Sequence, residues 1–431
     1  MHVIQAVARG AVLIVAEEKL EDITIPQLTV PNVREFMSLA AKRFHDNVCD
    51  KMDIIAVVGT NGKTTCAHML KHILGKNTGV IGTLGASISY SSFVIRHSSL
   101  TTPDPIELHE IFAQMYARGV RTVVMEVTAH AIHYHKVAGI TFRAGIFTNI
   151  TQDHLDFFEN MEKYAETKVG FMTSEAIQTA IVNFDDPYGQ QIAVNRRENG
   201  EKAVLYSISA LPKILQTTAP RFNVYNELAC IYTALELRLK PRVIRKALKT
   251  MPQVPGRFNV YKTKNKVTAI IDYAHTPDAL EKLLTAAREL VKDEGRLVAV
   301  FGCGGNRDKS KREIMGSVAA KLSDYIVVTS DNPRDEPPMV IMLQIKAGIE
   351  THPVAATPRH PSILKGSCSV GFYAENYCLI ENREEAVRYA LDNAKAGDVV
   401  VIAGKGAETT QEIAGRFIPY NDSNIVKQYI K

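Results

Sequence analysis

One stretch of the chain decides the fold: Ile54-Ile55-Ala56-Val57-Val58-Gly59-Thr60-Asn61-Gly62-Lys63-Thr64-Thr65. Its first five residues are all apolar and mostly β-branched, which predicts a buried strand, and residues 63–74 carry apolar side chains at helical spacing. Between strand and helix, glycines would let backbone N–H groups wrap around phosphates, and the start of the helix would attract anions. The stretch therefore predicts a phosphate-binding loop inside a parallel-sheet domain.

Two side chains of this loop predict nucleotide chemistry. Lys63 would neutralise the β- and γ-phosphates, and the Thr64 hydroxyl would bind Mg²⁺. A turn that resembles such a loop by chance is disfavoured, because a strand precedes this one and a helix follows it. Gly59 and Gly62 lie closer together than in the usual G-x-x-x-x-G-K-[ST] motif. That spacing points to a specific family rather than to GTPases or kinases.

The rest of the chain alternates short β-branched runs with amphipathic helical stretches, which predicts α/β domains with parallel sheets. Further strands are predicted at residues 122–127, 144–148, 180–183 and 204–207, with helices at 225–237 and from Pro241. After a Pro/Gly-rich link at 251–256, strands are predicted at 267–272, 297–301, 325–329 and 399–403. Helices are predicted at 278–292, 311–322, from Met339 and at 383–394, and a long loop at 352–371.

These runs predict three domains, over residues 1–50, 51–254 and 255–431. The first holds one helix and one or two strands, too little for a large core.

Composition narrows the function classes. The chain has 431 residues, 51 basic and 46 acidic, for a formal net charge of +5, and 46% of it is hydrophobic. These values exclude a disordered or coiled-coil protein and suit anionic small-molecule partners, but they are too weak for a nucleic-acid surface. The six cysteines show no C-x-x-C spacing and predict free thiols, and no apolar run would span a bilayer. We expect a soluble monomer in the cytoplasm, with no membrane partner.

A second set of polar residues follows other predicted strands. Glu126 lies at the end of strand 122–127, and Asp153 and His154 come after strand 144–148. In doubly wound sheets, ligands bind outside the carboxyl ends of the strands. Carboxylate and imidazole groups there could hold Mg²⁺ against phosphate. Singly these are ordinary cap and turn residues; together with the loop they predict a metal and phosphate site.

These motifs resemble those of the Mur ligases, the ATP-dependent amide-forming family of peptidoglycan synthesis, and most of all its MurE branch of UDP-N-acetylmuramoyl-tripeptide synthetases. The similarity runs from about residue 54 to the C-terminus and is weaker over residues 1–50. It rests on the loop 59–65 and on motifs at 101–103, 125–130, 148–156, 222–226, 255–257, 272–277, 331–334 and 404–406. It implies a shortened N-terminal α/β domain, a central ATP-binding parallel sheet and a C-terminal Rossmann-like domain.

The resemblance also implies roles for individual residues. The nucleotide would be held by Gly59, Thr60, Asn61, Gly62, Lys63, Thr64, Thr65, Asn226, Arg257 and Asp272. Mg²⁺ would be held by Thr64, Glu126, His154 and a carbamylated Lys168, and Lys63 with the last three would be catalytic. From the residues alone, Lys168 would be an exposed lysine on a helix. The acyl substrate would meet Thr101, Thr102, Thr128 and Lys136, and the amino acid Arg307, Asp331, Asn332, Arg334, Gly404 and Glu408.

The motif at 331–334 bears on the incoming amine. It follows a predicted strand, and the Arg334 guanidinium could take a carboxylate through two hydrogen bonds, while Glu408 could take an ammonium group. A surface arginine in a turn is the alternative. By resemblance, this arginine is typical of enzymes that add meso-diaminopimelate to UDP-N-acetylmuramoyl-L-alanyl-D-glutamate through an acyl-phosphate. His130 and His275 are candidate bases for the amine.

Several positions depart from the family pattern: Thr128 and Ala129 replace two serines, Phe158 and Ala407 replace histidines, and Tyr134 and Lys136 stand where Gln and Arg are common. Most of these changes fall on the nucleotide-sugar side. Three alternatives therefore stay open. They are a MurE-like paralogue that uses another carboxylate acceptor, a folylpolyglutamate synthase, and a non-catalytic protein of the same fold.

Overall fold

A computed structural model describes residues 2–88, 94–96, 100–211, 220–292, 294–351, 372–373 and 376–430. The chain divides into two compact units. The first unit comprises Met1–Asn149, Ala165–Gln216 and Tyr225–Lys249, and the second comprises Ile150–Tyr164, Thr217–Val224 and Thr250–Lys431. The division into three domains at residues 50 and 254 stays a prediction, and the predicted loop 352–371 lies outside the described residues.

The N-terminal residues form small elements: α1 (His2–Ala8), β1 (Ile14–Ala16), β2 (Gln27–Thr29), α2 (Val33–Phe44) and a 3₁₀ helix (Val48–Lys51). Strands β1 and β2 pair in parallel. Helix α2 begins at Asn32, whose side chain accepts hydrogen bonds from the backbone of Arg34 and Glu35, each 3.0 Å long. The buried Ser38 hydroxyl of α2 donates to the His135 carbonyl at 2.6 Å. The structure has one helix more here than the sequence predicted, because α1 is too short to show a period.

The chain from residue 53 to 249 forms the following elements: β3 (Asp53–Val58), α3 (Lys63–Leu74), β4 (Thr78–Gly82), β5 (Gly85–Ile88), β6 (Val94–Arg96), α4 (Pro105–Ala117), β7 (Thr122–Glu126), α5 (Ala129–His133), β8 (Ala144–Phe147), α6 (Leu155–Phe158), α7 (Met161–Met172), β9 (Thr179–Asn183), α8 (Pro187–Glu198), β10 (Lys202–Tyr206), α9 (Arg221–Glu236) and α10 (Pro241–Lys249). A 3₁₀ turn, Ile208–Ala210, follows β10.

The first unit is built on one eight-stranded sheet of order β10-β9-β8-β3-β7-β4-β5-β6. It is parallel from β10 to β4 and antiparallel from β4 to β6. Strand β3 lies at its centre and is buried from Ile54 to Val58, as the apolar run predicted. The register pairs Val57 of β3 with Glu126 of β7. The phosphate loop and Glu126 therefore leave the sheet at the same edge.

Strand β4 was missed by the sequence analysis, because glycines at 79 and 82 lower its strand propensity. The structure gives the reason for both. A Cβ on Gly79 would lie 2.5 Å from Met115 Sδ, and one on Gly82 would lie 2.1 Å from Glu126 Oε1. Glycine in a strand often marks such a close approach.

The chain after residue 250 forms β11 (Asn259–Lys262), β12 (Thr268–Asp272), α11 (Pro277–Arg288), β13 (Leu297–Phe301), α12 (Ser310–Leu322), β14 (Tyr325–Val328), α13 (Pro338–Glu350), β15 (Phe372–Tyr373), β16 (Tyr377–Leu379), α14 (Arg383–Asp392), β17 (Val399–Ala403), β18 (Thr410–Ile413), β19 (Arg416–Pro419) and α15 (Asp422–Lys427). A seven-stranded sheet has the order β11-β12-β17-β13-β14-β16-β15. Apolar clusters cover both of its faces. The predicted α/β class is confirmed.

Two further observations bear on the composition. No helix in the described part of the chain is long and apolar enough to cross a membrane. Five cysteines are buried free thiols, namely Cys49, Cys66, Cys230, Cys303 and Cys378. The sixth, Cys368, lies outside the described residues.

Candidate functional site

The phosphate loop joins β3 to α3, as predicted. Gly59 has φ +151°, and a Cβ there would lie 1.9 Å from Thr148 Oγ1. Gly62 has φ +88°, and a Cβ there would lie 2.4 Å from Asn226 Oδ1. Both glycines are required, because the backbone is left-handed at Gly62 and neighbouring side chains fill the space at both positions.

The segment after β8 braces this loop. The Thr60 amide donates to the Asn149 carbonyl at 2.8 Å, and the Asn61 amide donates to Asn149 Oδ1 at 3.0 Å. Thr148 Oγ1 donates to the Asn61 carbonyl at 2.7 Å. Lys63 Nζ donates to the carbonyls of Gly59 and Thr60, each at 2.9 Å, so it lies over the loop. The loop is thus held in shape by the protein itself, as a preorganised anion site requires.

Glu126 lies at the end of β7 with only 1% of its surface exposed. Its Oε2 accepts from Thr64 Oγ1 at 3.0 Å and from Thr83 Oγ1 at 3.1 Å, and its Oε1 accepts from the Thr83 amide at 2.9 Å. The structure therefore brings Glu126 and Thr64 together. Thr83 was missed by the sequence analysis, and the signal for it is its position just after the unpredicted strand β4.

Lys168 lies in α7 and is 1% exposed, so the interpretation as an exposed lysine is wrong. Its Nζ lies 3.4 Å from Thr60 Oγ1, which places it against the phosphate loop. Ala165 and Met172, at helical spacing from it, are buried as well. A lysine on the buried stripe of a helix is unusual, because its charge must be balanced there.

The residues predicted for the acyl substrate surround the end of β7. Thr102 Oγ1 donates to the Glu126 carbonyl at 2.9 Å and lies 3.4 Å from Thr128 Oγ1. Thr101 Oγ1 lies 3.3 Å from Thr83 Oγ1. Lys136 Nζ is 2.8 Å from Asp104 Oδ1, a partner that the sequence analysis did not single out.

Asn226 is buried beside the same loop. Its Oδ1 accepts from the Cys66 thiol at 3.4 Å and is the atom that a side chain at Gly62 would strike. The structure therefore groups Asn226 with the loop residues, as the resemblance implied.

In the second unit, two imidazoles and a lysine surround Asp153. His154 Nε2 lies 3.4 Å and His275 Nε2 lies 4.0 Å from Asp153 Oδ2, and Lys311 Nζ lies 4.0 Å from Oδ1. His275 Nδ1 is 2.8 Å from the Tyr273 carbonyl, which assigns the ring proton to Nδ1 and leaves Nε2 as an acceptor. Burial lowers the pKa of His275, and the Lys311 charge lowers it further. Lys311 is a buried cation that the sequence analysis missed.

Arg257 and Asp272 lie in the same unit. The Arg257 guanidinium stacks on the Tyr273 ring, 4.3 Å from its centroid. Asp272 accepts from the amides of Phe258 at 2.7 Å and Ala274 at 2.8 Å, and burial raises its pKa. Both side chains are thereby held by their own chain neighbours.

The amino-acid residues of the motif 331–334 meet the segment 404–412. Lys405 Nζ donates to Glu408 Oε2 at 2.6 Å and to Asn332 Oδ1 at 2.9 Å, and Asn332 Nδ2 donates to Glu408 Oε2 at 2.9 Å. Lys405 is fully buried and was not predicted as a site residue. A Cβ on Gly404 would lie 2.5 Å from Asp331 Oδ2. Asp331, Asn332, Gly404 and Glu408 thus form one cluster.

Arg334 continues this cluster. Its backbone is left-handed, with φ +53°. Its Nε lies 3.0 Å from Glu412 Oε2, and its Nη1 donates to the Gly305 carbonyl at 2.7 Å. A Cβ on Gly304 would lie 3.0 Å from Arg334 Nη1 and 3.7 Å from Cγ of the exposed Arg307. The guanidinium is therefore fixed at its Nε edge by a carboxylate of the same unit.

The donor set at the loop fits a magnesium ion. Mg²⁺ is usually bound in proteins through one or two carboxylates together with substrate phosphates. The Thr64 hydroxyl and the Glu126 carboxylate already touch each other. Within the described residues, no group of three or more His, Cys, Asp or Glu side chains is arranged to hold a metal. The arrangement therefore fits an ion shared with a phosphate ligand.

Comparison with known families gives two matches. Residues 57–270 match the Mur ligase middle domain, and residues 256–406 match the Mur ligase glutamate ligase domain.

Known proteins similar to the chain include UDP-N-acetylmuramoyl-L-alanyl-D-glutamate–2,6-diaminopimelate ligases. The one from Alkaliphilus metalliredigens is 34% identical, over 99% of this chain and 87% of its own length. The one from Coxiella burnetii is 37% identical, over 94% of this chain and 84% of its own length. The one from Aquifex aeolicus is 36% identical, over 99% and 87%.

Solved structures extend the comparison. A UDP-N-acetylmuramoyl-L-alanyl-D-glutamate–2,6-diaminopimelate ligase is similar with a TM-score of 0.61 and 27% identity, over 99% of this chain and 88% of that one. Mycobacterium tuberculosis folylpolyglutamate synthase, complexed with ADP and AMPPCP, has a TM-score of 0.65 at 16% identity, over 86% and 92%. The second likeness shows a shared fold.

Proposed function

Because the chain belongs to the Mur ligase family, we propose that it is an ATP-dependent amide-forming ligase. Its reaction adds meso-diaminopimelate to UDP-N-acetylmuramoyl-L-alanyl-D-glutamate. The observation that carries this proposal is similarity over nearly the whole chain, at 34–37% identity, to ligases named for that reaction. The Arg334 guanidinium, held at its Nε edge by Glu412, supports the choice of amino acid, which has two carboxylates to recognise.

The first unit would hold ATP. Backbone amides and the start of α3 suit the phosphates, and Lys63 lies over the loop where the β- and γ-phosphates would sit. Asn226, buried beside Gly62, is suited to the adenine. Bound Mg²⁺ would neutralise charge on the transferred phosphoryl group, and Thr64 and Glu126 are the residues that would hold it.

Lys168 takes a carbamate in this proposal. Its Nζ is buried against Thr60, where a bare ammonium group would lack a carboxylate of its own among the contacts given for it. Addition of CO₂ would turn it into an oxygen ligand and would reverse its charge. For His154 the proposed ligand role rests on the resemblance.

The second unit would hold the amino acid. Arg334 is suited to a carboxylate, and Asp331 and Glu408 are suited to ammonium groups. Asn332 supports Glu408 through a 2.9 Å hydrogen bond. Two opposite types of charged group thus lie in one cluster, as a substrate with two carboxylates and two amines requires.

The reaction then has two steps. A terminal carboxylate oxygen of the acceptor attacks the γ-phosphorus, the bond to the bridging oxygen breaks, and ADP and an acyl-phosphate form. The amine nitrogen attacks the acyl carbon, phosphate leaves, and the nitrogen loses a proton as the amide forms. His275 suits the acceptor of that proton better than a doubly protonated ring would, because its Nε2 is free of hydrogen by the Tyr273 contact.

A cytoplasmic location and a monomeric state belong to the same proposal. Buried free thiols suit a reducing compartment. Size-exclusion chromatography with light scattering would test the monomer, and a dimer mass would contradict it.

The deciding experiment measures phosphate release from ATP with UDP-N-acetylmuramoyl-L-alanyl-D-glutamate and meso-diaminopimelate, each alone and together. Release that needs both, with a tripeptide product by mass spectrometry, is the expected result. Lysine in place of diaminopimelate is the matched substrate control, and the Lys63→Ala protein is the negative control. A folded chain that binds ATP but forms no tripeptide would contradict the proposal and favour another carboxylate acceptor.

A further inference from the structure

Arg383, the first residue of α14, is a buried charged residue that no motif singled out. Its Nε donates to Asp422 Oδ1 at 3.1 Å, and its Nη2 donates to Asp422 Oδ2 at 3.0 Å and to the Ala403 carbonyl at 2.9 Å. Tyr420 also donates to Asp422 Oδ1, at 2.7 Å. The side chains of Arg383 and Asp422 are both 0% exposed. The guanidinium therefore has a fixed orientation.

The third nitrogen of this guanidinium faces Asp331. Arg383 Nη1 has no hydrogen-bond partner in the described part of the chain, and neither has Asp331 Oδ2, although both atoms are buried. The two lie 3.8 Å apart. This is beyond hydrogen-bond length, and it is too short for a bridging water, which needs on the order of 4.5 Å. Buried polar atoms that lack a partner are costly, so a facing pair of them requires an explanation.

Gly404 keeps the space beside this pair open. A Cβ there would lie 2.5 Å from Asp331 Oδ2 and 4.0 Å from Arg383 Nη1. The backbone of Gly404 is also outside the range of most residues, with φ +113°. The free side of the Asp331 carboxylate is therefore reached past a glycine rather than past a side chain.

The charges around Asp331 leave it as the surplus. Each cation of the surrounding cluster has a carboxylate of its own; these pairs are Arg383–Asp422, Lys405–Glu408 and Arg334–Glu412. Asp331 has only the amide of Asn332, at 2.8 Å, on its Oδ1. A cationic ligand on Oδ2 would restore the charge balance.

We propose that Arg383 is a positioning residue for the amino-acid site, which holds the Asp331 carboxylate with Oδ2 directed at an ammonium group of the incoming amino acid. This inference rests on the proposed function. Because Asp422 occupies two edges of the guanidinium, the Nη1 edge is rigid, and it attracts Asp331 without closing a hydrogen bond that would compete with the ligand. A lysine could pair with Asp422 but would not present a second edge in a fixed direction.

The test compares Arg383→Lys in the wild-type and Asp331→Asn backgrounds. Arg388→Lys is the matched control, since Arg388 lies on the same helix in an exposed pair with Glu384. For each protein, KM is measured for meso-diaminopimelate and for ATP, together with calorimetric binding of diaminopimelate. We expect Arg383→Lys to raise KM for diaminopimelate at least fivefold and KM for ATP less than twofold. In the Asp331→Asn background it should add nothing, and Arg388→Lys should be neutral throughout.

A second variant guards against misfolding. Arg383→Met/Asp422→Leu removes both charges of the buried pair and leaves neither uncompensated, so the fold should persist. It should give the same selective rise in KM for diaminopimelate. An equal rise in both KM values, or an undiminished effect in the Asp331→Asn background, would mean a purely structural role and would overturn the inference. A wild-type chain that forms no tripeptide would overturn the proposed function first, and this inference with it; that outcome is read before any variant is made.

Discussion

Thr64 Oγ1 donates a 3.0 Å hydrogen bond to Glu126 Oε2, across 62 positions of sequence. The contact exists because β3 and β7 are neighbours in the sheet and Val57 pairs with Glu126. The loop that follows β3 therefore begins its helix beside the carboxylate that ends β7. A hydroxyl and a carboxylate oxygen, the ligand types that Mg²⁺ prefers, are thereby placed at one point of the first unit.

The first prediction concerns this contact. Thr64→Val keeps the side-chain volume and removes the hydroxyl, so phosphate release should fall by about 10²–10³ in kcat, as for loss of one preorganised polar group in an active site. Phosphate release at rising Mg²⁺ concentration is the measurement. Thr64→Ser keeps the hydroxyl and should retain most activity. Equal losses in the Ser and Val variants would mean that the methyl group, not the hydroxyl, matters.

The second prediction concerns the carbamate on Lys168. Lys168→Ala should lose activity and regain part of it with added formate or acetate, because a small carboxylate can replace the carbamate oxygen ligands. Lys163→Ala, on the same helix in an exposed pair with Glu159, is the control and should stay active. Full activity of Lys168→Ala without any additive would refute the carbamate role.

The third prediction concerns Arg334. Removal of its guanidinium in Arg334→Ala should raise KM for diaminopimelate at least about tenfold, the effect of losing one charge-assisted contact. KM for ATP should change little, since the loop that would hold ATP belongs to the first unit. Steady-state kinetics with each substrate varied would measure both constants. The exposed Arg416 supplies the control Arg416→Ala. A parallel rise of both KM values would exclude Arg334 from amino-acid recognition.

The fourth prediction concerns stability against acid. His109 in α4 is 0% exposed, and in the described part of the chain neither ring nitrogen has a hydrogen-bond partner. Burial lowers the pKa of His109 to about 4, and the charges of His45 and Lys42 lower it further. The unfolded chain has a pKa of about 6.5 at this residue, so it binds the proton first. Stability from the neutral ring is therefore complete above pH 6.5 and is lost as the pH falls towards 4.

Urea unfolding at pH 7.5 and at pH 5.0 would measure this effect. The free energy of unfolding of the wild type should fall by about 2 kcal/mol more than that of His109→Leu, which cannot bind the proton. His133→Ala, which changes an exposed histidine, should follow the wild type. Equal losses in the wild type and in His109→Leu would mean that the ring is protonated in the folded protein as well.

Local patterns predicted most of the fold. The strand at residues 54–58 and the helix at 63–74 were found, and the helix has the predicted bounds, Lys63–Leu74. The resemblance to Mur ligases, drawn from short motifs, is confirmed by relatives that match nearly the whole chain. The pattern failed at β4–β6 and at the hairpin of β18 and β19. There the glycines of β4 serve packing, and the exposed β19 carries no core face to give a period.

The sequence by itself determined what consecutive residues can do. A β-branched run, two glycines and a Gly-Lys-Thr helix start make a phosphate loop in any sheet, because each depends on its neighbours in the chain. The tertiary structure alone decided that Thr83 joins Thr64 on Glu126, that Lys168 is buried, and that Arg383 faces Asp331. These contacts join residues far apart in the chain. They depend on strand order, on register and on which helix face packs inward, which no local period encodes.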